Sequence, residues 1–323
     1  MSQKAPNHEI GGYFGLELGR VRDHPHSGAL HLNSARNAFL HILESMRPSR
    51  IYVPSYLCKS MMEPLSRTGI PHEFYHIEER LEIANPPDLA ADESILYVNY
   101  FGVKTEYARA LSKRYERSLV LDNSQAFLTP PMPGTACIYS PRKFVGVSDG
   151  GLVHGSSPPA EPLERDFSVD STRHLIGRVD ANAAHFYPDY RSSEESLAGR
   201  PLRAMSTFTR TVLQSLDYEQ IKLVRERNFW YLHTHLASKN RMLIEPSEVC
   251  GPMVYPFWSS RSGLRERLIE NRIYVARYWT EVLSNPHCSR VDERLTNELL
   301  PLPIDQRYAT ADMDRIIETI LRV

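Results

Sequence analysis

The stretch Ile95–Gln125, ILYVNYFGVKTEYARALSKRYERSLVLDNSQ, decides the architecture. ILYVNY (95–100) and SLVL (118–121) are apolar runs of strand length, and Glu106–Glu116 between them carries helical spacing. Two such strands joined by a helix of about ten residues form a parallel βαβ unit, the building block of a doubly wound sheet. Ligands of such sheets sit at the carboxyl ends of the strands. That rule directs attention to Asn99–Gly102, to Asp122–Gln125 and to Ser140–Lys143.

The same alternation continues upstream. Ser34–Met46 (SARNAFLHILESM) places Phe39, Ile42, Leu43 and Met46 at helical spacing, with Ser34 as N-cap. Arg50–Pro54 (RIYVP) is a strand stopped by proline, Leu57–Arg67 a helix closed by Gly69, and Phe74–Ile77 a further strand. Downstream the links shorten. Ala136–Tyr139 and Leu152–His154 are strands separated by the turn chemistry of Ser148-Asp149-Gly150-Gly151, which predicts an antiparallel addition to the parallel sheet. After a Ser/Pro-rich break at Ser156–Pro162, a polar, Arg-rich stretch runs to about residue 200. Helices are expected at 206–216, 218–238 and 262–283, a strand at Tyr255–Trp258 and a closing helix at Asp312–Leu321. The expected division is a large domain over residues 1–214 and a smaller α/β domain over 215–323.

Composition narrows the function. The 323 residues carry 38 Lys+Arg against 39 Asp+Glu, a net charge of −1, without the basic excess of a dedicated nucleic-acid binder. No apolar run reaches membrane-spanning length, and MSQKAPNHEI is not a signal peptide, so a cytoplasmic protein is expected. Cys58, Cys137, Cys250 and Cys288 are scattered, with neither disulfide-scaffold nor zinc spacing, and no metal site is expected. The pattern G-V-S-D-G at 146–150 matches a nucleophile elbow, but that turn must lead into a helix, and GLVHGSSPP follows instead. A hairpin turn accounts for it. Neither G-x-G-x-x-G nor a P-loop occurs.

Three groups remain at the ligand edge. Asp122, followed by Gln125, ends an apolar strand; Ser140-Pro141-Arg142-Lys143 ends another; Asn33-Ser34-Ala35 opens a helix whose amides can hold an anion. Singly, each has a plain account: a strand-end turn, a solvated lysine, an ordinary N-cap.

Together they resemble a pyridoxal-phosphate (PLP) enzyme of fold type I, in particular the DegT/StrS type of sugar aminotransferase. Asp122-x-x-Gln125 matches that family's Asp-x-x-Gln, and Lys143 followed by Asp149-Gly150-Gly151 matches its lysine and Gly-[Glu/Asp]-Gly-Gly. Ile10–Gly15, Asn33-Ser34-Ala35, Arg203–Ser206 and Leu302-Pro303-Ile304 add matches that are individually weak. The resemblance implies an α/β fold with a mostly parallel large-domain sheet flanked by helices and a small C-terminal α/β domain. It implies PLP as cofactor, an amino-acid donor such as glutamate, a nucleotide-linked keto sugar as acceptor, and a homodimer. Lys143 is then the lysine that carries the cofactor and moves protons, Asp122 the carboxylate that keeps the pyridine nitrogen protonated, and Gln125 a neighbour of the ring. Asn33, Ser34 and Ala35 would receive the phosphate, with Ser140 as an added hydroxyl, and Tyr56 is a candidate to stack on the ring. Gly12–Phe14, Arg142 and Arg307-Tyr308 are candidates to meet substrate.

The chain departs from the family in two places. The hydroxyl residue five positions before the lysine is Ile138, and the segment Gly-Tyr-Asn, whose Asn reaches the partner subunit's phosphate, reads Gly199-Arg200-Pro201. A PLP-dependent lyase, a non-sugar transaminase or a non-catalytic binding protein of the same fold are the alternatives. The retained lysine disfavours the family's dehydratase branch, which carries histidine there.

Overall fold

The computed structural model describes residues 12–19 and 22–322. Ile10 and Gly11 of the N-terminal match therefore lie outside the described residues. Seven strands form one sheet in the order β1-β7-β6-β5-β4-β2-β3: β1 Leu30–Leu32, β2 Arg50–Pro54, β3 His72–Tyr75, β4 Glu93–Val98, β5 Leu119–Asp122, β6 Ala136–Tyr139 and β7 Gly151–His154. The run β3-β2-β4-β5-β6 is parallel; β7 pairs antiparallel with β6, and β1 with β7. The expected antiparallel addition is thus present, followed by a short edge strand that the sequence pattern did not show. Every residue of β5 and β6 is buried, which is why both read as continuous apolar runs.

Helix α1 (Ala35–Met46) packs its buried face, Phe39, Leu40, Ile42 and Leu43, towards the sheet, with the Ser34 hydroxyl accepting the Asn37 N–H. α2 (Met62–Thr68) ends on Gly69 at φ 68°, the left-handed conformation that glycine adopts without strain. α3 (Thr105–Tyr115) is the β4–β5 crossover. The polar stretch after β7 is not irregular throughout: it holds α4 (Arg173–Asp180) and α5 (Tyr187–Glu195) before α6 (Thr207–Gln214).

Beyond α6, the long helix α7 (Tyr218–Leu236) packs against α10 (Thr310–Leu321) and a two-stranded antiparallel sheet of β8 (Tyr255–Trp258) and β9 (Leu299–Leu302). The helix expected over 262–283 stops early. α8 covers only Leu264–Glu270, and Arg272 then takes a left-handed φ of 59°. The Arg272 N–H donates to Ile269 O and the Ile273 N–H to Leu268 O, a Schellman closure. Ile273 and Val275 are weak helix formers, and tertiary burial of both, together with Trp279, outweighs continuing the helix. Helix α9 (Arg290–Glu298) carries a capping box from Ser289 and Asp292. No helix among the described residues is long and apolar enough to cross a membrane.

Four histidines gather where the N-terminal strap meets the antiparallel edge. His26 lies 4.0 Å from Tyr139 ring to ring, contacts His154 at 3.2 Å and reaches the Phe127 carbonyl at 2.6 Å. Burial, reinforced by the neighbouring imidazoles, lowers His24 to about 3 and His26 to about 4 from the ordinary 6.5. Between those values and 6.5 the unfolded chain binds more protons than the folded one, so stability is complete above about pH 6.5 and is lost as pH falls towards 4. Urea denaturation is expected to show lower stability at pH 5 than at pH 7, and a smaller loss in His24→Leu; equal losses in both proteins would remove the histidines as the cause.

Candidate active site

Three segments meet at the carboxyl edge of the sheet. Asp122 is the last residue of β5, aligned with Ile138 of β6. Its carboxylate is buried, accepts the Ser124 N–H through Oδ1 at 2.7 Å, and takes part in no ion pair among the described residues. The Ser124 hydroxyl beside it is buried with no partner. Gln125 is buried too, and its amide oxygen accepts the Phe101 N–H at 2.8 Å, leaving the amide N–H groups as its free donors. That bond holds Phe101 at a left-handed φ of 59° in the turn after β4.

β6 runs into a single helical turn, Pro141–Lys143, with Ser140 buried at its start. Lys143 is exposed at the end of that turn. The following hairpin then returns to α1: the Gly150 N–H donates to Asn33 O at 2.9 Å, and Ser34 and Gly150 form a β-bridge. Gly151 is required there, since a Cβ would overlap the Ser34 carbonyl. Asp149 anchors the hairpin from the other side. It is fully buried and accepts the backbone N–H and hydroxyl of Ser206, each at 2.9 Å, and the Thr209 hydroxyl at the start of α6. Ser148, in the pattern that matched a nucleophile elbow, is buried, meets Ser171 Oγ and leads into β7, as the hairpin reading requires.

The first turn of α1 completes the edge. Ser34 Oγ caps Asn37, and the Ala35 and Arg36 amides, at the first two helical positions, have no acceptor within the helix. Asn33 has a different role from the expected phosphate contact. Its side chain donates to Asp166 Oδ2 at 2.8 Å and Pro201 O at 3.1 Å and accepts from Asn37 at 2.8 Å, so it ties loop 200–203 to α1. Tyr56 lies inside the protein. Its ring is fully buried against Tyr100, at 5.8 Å, and Trp279, at 4.6 Å, and burial pushes its hydroxyl pKa up. Tyr13 and Phe14 are almost wholly exposed on the N-terminal arm, and Arg307 is held by both oxygens of Asp305, at 2.7 and 2.9 Å. Neither contacts Asp122 or Lys143. Two surface clefts, one along His76–Arg80 just beyond β3 and one along Ser259–Glu266, are lined by neither Asp122 nor Lys143.

A residue that sequence reasoning missed controls the lysine turn. Arg225 of α7 is buried, and its guanidinium donates to Phe144 O at 3.1 Å, Met253 O at 3.0 Å, Pro252 O at 3.2 Å and Gln306 Oε1 at 3.1 Å. Gln306 donates to the same Phe144 carbonyl at 2.8 Å. Burial lowers the Arg225 pKa to about 10. The signal was present: Ile221, Val224, Arg225, Asn228, Phe229, Leu232 and Leu236 form one buried stripe at helical spacing, with a charge and an amide inside it.

The architecture agrees with solved structures. The chain is similar to a DegT/DnrJ/EryC1/StrS aminotransferase from Brucella abortus (16% identity, 90% of this chain and 84% of that chain covered, TM-score 0.59). It is also similar to DesV of S. venezuelae (17% identity, 94% and 86% covered, TM-score 0.62). A third likeness is to the GDP-4-keto-6-deoxy-D-mannose-3-dehydratase of E coli, solved with hydrated PLP (14% identity, 90% and 87% covered, TM-score 0.61). No family model matches the chain, and no curated protein is similar to it in sequence. The chain has the α/β fold of these fold type I aminotransferases, with its mostly parallel seven-stranded sheet flanked by helices.

Arg225→Met removes donors from three buried carbonyls and is expected to lower stability by about 3 kcal/mol or more. Hydrogen exchange should rise selectively at residues 142–147. Unchanged exchange there would show that Arg225 does not hold the turn.

Proposed function

We propose that this chain is a PLP-dependent aminotransferase that moves an amino group from an amino acid, glutamate in the simplest case, to the keto group of a nucleotide-linked sugar. One observation carries the reading: Asp122 is a buried carboxylate without a cationic partner among the described residues, at the same sheet edge as Lys143 and the first turn of α1. A buried carboxylate is stabilised by an opposite charge or a proton donor. A protonated pyridine nitrogen meets that need, and the α1 amides and the lysine turn suit the phosphate and carbonyl ends of the same molecule. The residues therefore fit the group at Asp122, Lys143, Ser34 and Ala35. At Asn33 and Tyr56 they do not, because both side chains have other partners.

When bound, PLP supplies an electron sink for a carbanion next to the amine. The chain's own groups do the rest. Asp122, with Oδ1 oriented by the Ser124 N–H, would hold a proton on the ring nitrogen. Gln125, whose oxygen stays on Phe101, would offer its amide N–H groups as donors to the ring. Lys143 Nζ would hold the cofactor and serve as the proton carrier. Arg225 and Gln306 fix the carbonyl of the next residue, so that Lys143 moves on a rigid base.

Two further elements support a homodimer in which a second subunit covers this edge: Lys143 is exposed in the single chain, and Phe167, Val169, Ile176 and Val179 expose large apolar side chains around α4. We further propose the division into domains at residues 1–214 and 215–323, a site in the cytoplasm, and a role in making the amino sugars of polysaccharides.

The purified chain is expected to give a visible absorption band with PLP, and borohydride reduction should fix the pyridoxyl mass on the Lys143 peptide. Lys143→Ala should abolish the label, and Asp122→Asn should lower glutamate half-transamination at least a hundredfold while leaving the label in place. A label on another lysine, or none, would overturn the reading. A label without conversion by glutamate would favour a lyase.

A further inference from the structure

Three arginines converge beside the first turn of α1. Arg142 immediately precedes Lys143, its guanidinium turned into the protein, where it pairs with Glu194; its Nε is buried with no acceptor. Arg36 occupies the second position of α1, with Nη1 3.5 Å from Glu63, and that nitrogen too is buried and makes no hydrogen bond. Arg200 is held by Ser196, through Nε to the carbonyl at 2.7 Å and Nη2 to the hydroxyl at 2.8 Å, and its Nη1 stands 3.7 Å from Asp166. The loop that carries it is bound to α1 of its own chain, because the Pro201 carbonyl accepts from both Asn33 and Asn37, and the Arg200 carbonyl from Arg67.

The three charges feel one another. Burial is the main reason that Arg142 falls to about 10, and the charges of Arg36 and Arg200 lower it further, against the opposing effect of Tyr190 and Asp149. The acids nearby engage one edge of each guanidinium, and Asp149 is committed to α6. What remains are two buried guanidinium nitrogens that make no hydrogen bond among the described residues, Arg142 Nε and Arg36 Nη1, next to the first turn of the helix. An unsatisfied charged donor is costly, and the group that satisfies several at once needs several oxygens and more than one negative charge. A carboxylate offers two oxygens and one charge. A phosphate monoester offers three terminal oxygens and close to two charges.

We propose that Arg36, Arg142 and Arg200 of a single chain clamp a phosphate monoester over the start of α1, so that the phosphate of PLP is held in cis. This rests on the aminotransferase reading for the identity of the ligand, though not for the clamp itself. The arginine at 200 then does from its own chain what the Asn of the resembled family does from a partner subunit.

The test titrates PLP and pyridoxal, which lacks the phosphate, into the cofactor-free full chain and into Arg142→Gln and Arg200→Gln, and measures the rise in melting temperature caused by inorganic phosphate. Each substitution is expected to weaken PLP about tenfold or more, to leave pyridoxal unchanged and to abolish the phosphate-induced rise. If Arg142→Gln fails to fold, the more accessible Arg200→Gln and Arg36→Gln carry the measurement. Wild-type PLP affinity in folded variants would overturn the clamp, as would equal binding of PLP and pyridoxal by the unmodified chain. A Lys143→Ala/Arg200→Gln hybrid dimer tests the cis assignment: a clamp in cis leaves no intact site, whereas recovered tight PLP binding would overturn it. The two readings fail separately. Phosphate protection that depends on Arg142 and Arg200, without a label on Lys143, would sink the cofactor reading alone; a label with unaltered PLP affinity in the variants would sink the clamp alone.

Discussion

The guanidinium of Arg225 is the contact on which the site's geometry depends. Taking an arginine out of water is expensive, and this one has carbonyl and amide oxygens as its hydrogen-bond acceptors, with no carboxylate in direct contact. The acceptors come from three separate stretches: Phe144 after the lysine turn, Pro252 and Met253 before β8, and Gln306 after β9. The face of the guanidinium also lies 4.5 Å from the Phe144 ring. One planar, rigid fork therefore joins the lysine turn to the C-terminal elements, with Gln306 as a second donor to the Phe144 carbonyl. The Lys143 turn is short, with Phe144 and Val145 N–H bonds to Pro141 inside it, a bond from Gln306 to the Phe144 carbonyl and the Arg142–Glu194 pair. Part of its precision comes from the distant helix α7.

A second constraint is set by main chain against main chain. β6 and β7 are antiparallel, so the chain that leaves β6 with Lys143 must come back within a few residues, and it comes back against the start of α1. The close approach of Gly151 to Ser34, the bond from Gly150 to Asn33 and the Asp149 anchor on α6 lock the helix start, the lysine turn and loop 200–206 into one body. Contacts of this kind run between backbone groups and do not depend on most side chains at this edge. That is how a chain 14–17% identical to three solved structures of this fold keeps their architecture over nine-tenths of its length.

The substitutions within that frame give the chain its own character. Asn33, at the mouth of the anion site, has become a brace for the loop that carries Arg200. Tyr56 packs against Tyr100 and Trp279 and seals the contact between the end of β2 and the C-terminal segment. Positive charge gathers on Arg36, Arg142 and Arg200.

Local pattern alone determined the parallel strands, α1 with its Ser34 cap, the hairpin at Ser148–Gly151 and the C-terminal end of α10, because each follows from the period of apolar residues and from turn chemistry within a dozen positions. It also singled out Asp122 and Lys143, since a charge at the end of an apolar strand is visible in one dimension. It did not show β1, a three-residue strand whose partner lies 120 residues away, nor the early end of α8, where burial of Ile273 and Val275 outweighs helical continuity. The partners of Asn33, the packing of Tyr56, the reach of Arg225 and the meeting of Arg36 with Arg142 and Arg200 were likewise decided only by the tertiary structure. Each depends on side chains from segments far apart in the sequence, and a hydrogen bond or a repulsion between them exists only once the chain has folded them to within a few ångströms.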